Sequence, residues 1–154
     1  MKPPRVYIDT SVVGGCLDLE FQTASLQLFE RFREGTLIAV VSDLTIVEVD
    51  AAPPEVRALL RRIPVEHREH VLVTDRARAL AERYIAAGVI GGRMRPDARH
   101  IATATIHRVD VLASWNFKHI VNERRVYGYN SVNVQQGHPF LEIRTPAEMM
   151  GDGE

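Results

Sequence analysis

At 154 residues the chain is one domain in size, with material for a single sizeable core and not for two. Its 45% hydrophobic and 25% charged content is ordinary for a globular protein, and no apolar run approaches the roughly 20 residues of a membrane span. A net charge of −1 excludes a global basic field for holding nucleic acid. The N-terminus carries no signal-peptide pattern, because strand-like sequence begins at Arg5. The single cysteine, Cys16, excludes an internal disulfide and fits a cytoplasmic setting. Lys occurs only at Lys2 and Lys118, so Arg dominates; genome composition explains that bias before phosphate binding does.

Residues 5–9 predict a strand, and Gly14-Gly15 a turn that ends it. Phe21, Ser25, Leu28, Phe29 and Phe32 recur at helical spacing over 21–34, and Gly35 supplies the C-cap. The apolar run 37–41 predicts a strand buried on both faces. Ser42-Asp43 offers an N-cap for a short helix over 44–51, and Pro53-Pro54 starts another that ends before Pro64. A third strand is expected at 71–73, then a helix at 76–87 capped by Thr74-Asp75 and ended by Gly88. After a glycine- and arginine-rich loop, Pro96 opens a helix over 96–107. The remaining expectations are a strand at 109–113, a short helix at 117–121, a weakly amphipathic helix at 122–136 and a strand at 141–144. Residues 1–150 read as one domain and 151–154 as a loose acidic tail.

Short apolar strands alternating with helices predict an α/β fold: three α/β/α layers around a parallel sheet of about five strands. Ligands of such sheets bind beyond the carboxyl ends of the strands. The polar residues expected at that edge are Asp9 and Ser11, Ser42-Asp43, Thr74-Asp75, and Ser114 with Asn116. Glu48 and Asp97 lie on helices within one or two turns of it.

Asp9, Glu48, Asp97 and Asn116 are the candidate catalytic and metal-ligating set. Clustered carboxylate and amide oxygens repel one another unless a cation lies between them. Without a Cys or His cluster, that donor set suits Mg²⁺ or Mn²⁺ and not zinc. Each residue has a plainer reading. Asp9 also suits a turn after a strand, and Glu48 lies at capping-box spacing from Thr45. Asp97 is favoured by the dipole of a helix start whatever its task, and Asn116 also suits a helix cap. Ser11 and Ser114 are candidates for substrate contact or for satisfying turn backbone. Arg95 and Arg99, with Arg93, surround Asp97; they suit a phosphate or form a solvated charge cluster. His100, three residues after Asp97, reads as a packed or hydrogen-bonded histidine before a ligand. Trp115 reads as packing behind the site before a base-stacking surface.

Four ordered pieces together resemble the PIN domain, the metal-dependent nuclease fold of VapC-type toxins. They are Val6-Tyr7-Ile8-Asp9-Thr10-Ser11, Ser42-Asp43 leading to Glu48, the stretch from Asp97 to Ala104, and Asp110 to Phe117. The resemblance implies a ribonuclease with a divalent cofactor, RNA as substrate, an antitoxin covering the site, and a second copy as partner. Its acids match Asp9, Glu48 and Asp97; its fourth position, often Asp, is Asn116 here. Losing that charge bears on a second metal ion more than on the first. Two other functions compete: a non-catalytic RNA- or protein-binding module on the same fold, and an aspartyl-phosphate phosphatase with Asp9 as nucleophile. The second is disfavoured because position 11 is Ser and no suitable lysine follows the strands.

Overall fold

Val6, Tyr7 and Ile8 are wholly buried because their strand, β1 (Arg5–Ile8), runs through the middle of the sheet with layers on both faces. In a computed structural model, which describes residues 2–151, β1 lies between β2 (Ile38–Ser42) and β4 (Val111–Ala113). Strands β3 (Arg68–Val71) and β5 (Ile143–Arg144) form the edges, giving a five-stranded sheet of order β3-β2-β1-β4-β5, parallel throughout. Tyr7 sits in register with Val40 on one side and Leu112 on the other.

Alternation along β1 sends its side chains to two separate cores. Val6 and Ile8 pack with α1 (Thr10–Gly15), α2 (Gln22–Glu34), α3 (Asp43–Asp50) and α4 (Pro54–Arg61). Tyr7 packs with α5 (Asp75–Ala86), α6 (Arg95–Ile106) and α7 (Glu123–Gln135). The three-layer α/β/α architecture is therefore as the sequence implies. A short α8 (Pro146–Met149), closed by a Thr145–Glu148 capping box, completes the first layer against α2. The strand order reverses between β1 and β4, so the crevice for a ligand opens beyond Ile8 and Ala113. No helix among the described residues is long and apolar enough to cross a membrane. Of the expected tail, residues 152–154 lie outside the described residues.

Several elements differ from the expectation. The chain enters α1 directly at Thr10, where a turn is expected, because the Asp9 carboxylate accepts the Val12 amide as an N-cap. Gly15 serves a close approach instead of a turn: a Cβ there would lie 2.6 Å from Ser25 Oγ and 2.7 Å from Trp115 Nε1. The third strand is Arg68–Val71, upstream of the expected 71–73. Its mostly polar sequence suits an edge, and a two-pronged Arg5–Glu69 ion pair (2.7 and 2.8 Å) joins it to β1 across β2. Residues 117–120 form a turn and not a helix, with the Asn116 carbonyl accepting from both Ile120 and Val121. The last strand is reduced to Ile143–Arg144.

Candidate active site

Asp9 leaves the end of the central strand and is held from three sides. Its Oδ1 accepts from Ser11 Oγ (2.6 Å) and the Val12 amide (3.2 Å); its Oδ2 accepts from Ser114 Oγ (2.6 Å). Both serines thus orient the acid. Ser114 is fully buried; its hydroxyl donates to Asp9 and accepts from the Asn116 amide (3.0 Å), which is the backbone-satisfying alternative to substrate contact. Ser11 faces the cleft but also accepts from the Trp115 amide at 2.9 Å, tying α1 to the end of β4. Trp115 itself stacks on Phe21, ring centroids 4.4 Å apart, and donates to Ser25 Oγ: it packs behind the site.

Glu48 comes from α3. That helix is capped by a box between Ser42 and Thr45, so Glu48 is free of the capping role its spacing from Thr45 allows. Its Oε1 accepts from Thr10 Oγ1 (2.6 Å) and from His100 Nε2 (2.9 Å). Burial alone would raise the Glu48 pKa; the His100 and Thr10 bonds outweigh it and bring it below the usual glutamate range. Asp97, in the first turn of α6, has its pKa raised, first by burial and then by the charges of Asp9 and Glu48, against the pull of His100 and His119. Asn116 turns its amide nitrogen toward Asp97 Oδ2 (3.3 Å), while its Oδ1 accepts the His119 amide (2.9 Å). It therefore acts as the cap of the 117–120 turn and presents a donor to the acids.

Asp9, Thr10, Ser11, Glu48, Asp97, His100 and Asn116 line one open cleft of about 280 Å³. Residues more than 100 positions apart along the chain meet there. Three larger hollows among the described residues, of about 430, 350 and 300 Å³, lie elsewhere, two along α7 and one between α5 and the segment after α7, and none lies at the strand-order reversal. Arg95 and Arg99 are not in the cleft lining. The Arg95 guanidinium pairs with Glu82 (2.6 and 3.0 Å) at the exposed surface, outside the cleft lining. Thr74 and Asp75 are also outside; Asp75 is fully exposed and pairs with Arg78.

His100 is packed and hydrogen-bonded at the back of the cleft. It is 2% exposed, with Nδ1 at 2.7 Å from Tyr7 Oη and Nε2 against Glu48. Burial works to lower its pKa; the Tyr7 oxygen and the Glu48 and Asp9 carboxylates overcome this and hold it at about 10. Its place one turn after Asp97 was the available signal. The pair has a consequence for stability. A folded pKa of about 10 against an ordinary 6.5 means His100 stabilises the fold fully below about pH 6.5, and that contribution is lost as pH rises through 10. Glu48, depressed, stabilises above its ordinary value of 4.5 and loses this as pH falls. Melting temperature is expected to be highest near pH 5–6.5 and to fall on both sides; a flat profile from pH 6.5 to 10 would contradict a charged His100.

No protein-family model matches the chain, and no curated protein matches it. Solved structures do. VapBC2 from Rickettsia felis, bound to a DNA fragment from its promoter, aligns over 92% of this chain and 98% of its own, at 10% identity and a TM-score of 0.58. FitAcB from Neisseria gonorrhoeae aligns over 92% and 97%, at 12% identity and a TM-score of 0.58. FitAB bound to an IR36 DNA fragment aligns over 92% and 94%, at 13% and 0.57. The chain has a PIN-like fold. At these identities the likeness establishes the PIN-like architecture alone.

Whether that PIN-like cleft suits a divalent ion is a question of donors and of spacing. The donors are hard oxygens. Among the described residues Glu48 Oε2 accepts no hydrogen bond, and the Asp97 carboxylate is held only by the long amide contact from Asn116. Burial is the main reason the Asp97 pKa is raised, and the neighbouring Asp9 and Glu48 charges add to it; a cation would offset both. The spacing is looser: among the described residues no three His, Cys, Asp or Glu are grouped tightly enough to hold an ion as they stand. The donor set fits Mg²⁺ or Mn²⁺ in its chemistry, as hard oxygen ligands without a Cys or His cluster.

Proposed function

We propose that this protein is a Mg²⁺- or Mn²⁺-dependent endoribonuclease of the toxin type. The observation that carries the reading is the meeting of Asp9, Glu48 and Asp97 in one cleft at the strand-order reversal of a PIN-like sheet. When bound, the ion supplies charge neutralisation at the phosphodiester and an acidified water. Asp9 contributes a carboxylate fixed by two serines, Glu48 its unbonded Oε2, and Asp97 the third acid. Asn116 contributes an N–H donor on the cleft wall, suited to a phosphate oxygen. The partners that follow are single-stranded RNA, an antitoxin segment over the cleft, and a second copy of the chain, in the cytoplasm.

Purified protein is expected to cut single-stranded RNA with Mg²⁺, to stop on addition of EDTA, and to recover with excess Mn²⁺. Cutting that persists in EDTA would sink the metal requirement. The open spacing of the acids favours one second reading, a non-catalytic binding module. Absence of Mn²⁺ binding at millimolar concentration in calorimetry, with no cleavage, would select it.

A further inference from the structure

We infer that His100 is the positioning residue of Glu48: its buried imidazole, anchored by Tyr7, decides which carboxylate oxygen Glu48 turns into the cleft. The inference deepens the reading of the cleft as a cation site and rests on it. A glutamate side chain has three rotatable bonds, and ordering it costs conformational entropy. Here the ordering is done by Oε1 alone, which takes two bonds, from Thr10 Oγ1 and His100 Nε2, and leaves Oε2 unbonded. His100 cannot swing away. Its far nitrogen lies 2.7 Å from Tyr7 Oη, which lies 2.7 Å from Ser42 Oγ, and the Tyr7 ring packs edge-on at 5.7 Å.

The chain Ser42–Tyr7–His100–Glu48–Thr10 therefore runs from β2 through β1 and α6 to α3 and α1. All but its last two members are buried. A core needing only volume there would be satisfied by apolar residues at less desolvation cost. The His100–Glu48 bond does not depend on the charge of the ring. A carboxylate only accepts, so Nε2 carries the proton whether His100 is neutral or cationic. Bonds of this kind behind metal-binding side chains typically change affinity 10- to 100-fold when removed.

Two variants separate positioning from packing. In His100→Gln the amide nitrogen falls near the imidazole Nε2 and keeps a donor on Glu48. In His100→Asn the shorter amide falls near Nδ1, keeps the Tyr7 contact and loses Glu48. Calorimetry with Mn²⁺ on the intact protein is expected to give affinity within about threefold of the parent for His100→Gln and roughly 10- to 100-fold weaker for His100→Asn. Equal affinities in the two variants, or losses that merely follow their melting temperatures, would overturn the inference. Crystal structures of the three forms without metal decide the matter independently. Glu48 in one rotamer in the parent and Gln forms but displaced in the Asn form supports positioning; an unmoved Glu48 in His100→Asn refutes it. If the parent binds no Mn²⁺ while Glu48 moves as described, the cation reading fails and the positioning role stands.

Discussion

Asp9→Asn is expected to slow metal-dependent RNA cleavage by roughly 100- to 1000-fold while leaving the protein folded. A cation at a developing phosphoryl charge is worth several kcal/mol, and each ~1.4 kcal/mol is a tenfold change in rate. Asp9 is the most firmly fixed of the three acids, so no neighbour can take its place. Asn is the informative replacement because its carbonyl still accepts the Val12 amide and the Ser11 hydroxyl, preserving the cap of α1. Ala would remove that cap, at about 1 kcal/mol, and leave two serine hydroxyls without their acceptor. For Asn the change falls at Ser114, whose oxygen would accept the new N–H beside the Asn116 amide and whose proton would lose its Asp9 acceptor. Melting within a few degrees of the parent and cleavage rates at saturating Mn²⁺ are the measurements. Parent-like cleavage by Asp9→Asn would remove the proposed chemistry.

Asn130→Leu is expected to cost roughly 2–5 kcal/mol of stability without touching the cleft. Asn130 is buried on α7, donates to the Leu141 carbonyl (2.9 Å) and accepts from the Leu141 amide (2.7 Å). It thereby pairs both backbone groups of a residue that is itself 2% exposed, just before β5. A buried backbone group left without a partner costs about 1–3 kcal/mol, and Leu fills similar volume while pairing neither. Asn130 Oδ1 also accepts from Asn133, so the loss spreads to a second buried amide. In a chain of this length each kcal/mol moves the midpoint by about 2–4 °C, so a fall of roughly 5–20 °C should appear in thermal melts. A fall under 2 °C would show that the β5 approach is held by something else.

These two sites mark where the sequence was and was not readable. Asp9, Glu48 and Asp97 could be placed at one edge because hydrophobic periodicity identifies strands and helices, and a parallel sheet puts every strand end on the same side. Asn130 and Asn133 made α7 read as weakly amphipathic, because a buried Asn is polar in sequence and becomes core only through its partners. The third strand was expected three residues late for a similar reason. Arg68, Glu69 and His70 have no apolar signature, and their pairing with β2 and the Arg5–Glu69 contact decide the strand. Residues 117–120 have helix-compatible composition, but Asn116 and Asn122 close the segment as a turn with side-chain bonds at both ends.

By itself, then, the order of residues determined the α/β architecture, the central strand and the acids delivered to its carboxyl edge, since these follow from spacing within short windows and from chain direction. Only the tertiary structure decided what each polar group does: Ser114 turned inward to Asp9, Arg95 drawn off to Glu82, Asn116 closing a turn, His100 fastened to Glu48. Those pairings join residues from 3 to 105 positions apart, and most are remote in sequence. A hydrogen bond depends on distance and direction in space, and local pattern carries no information about either until the layers have packed.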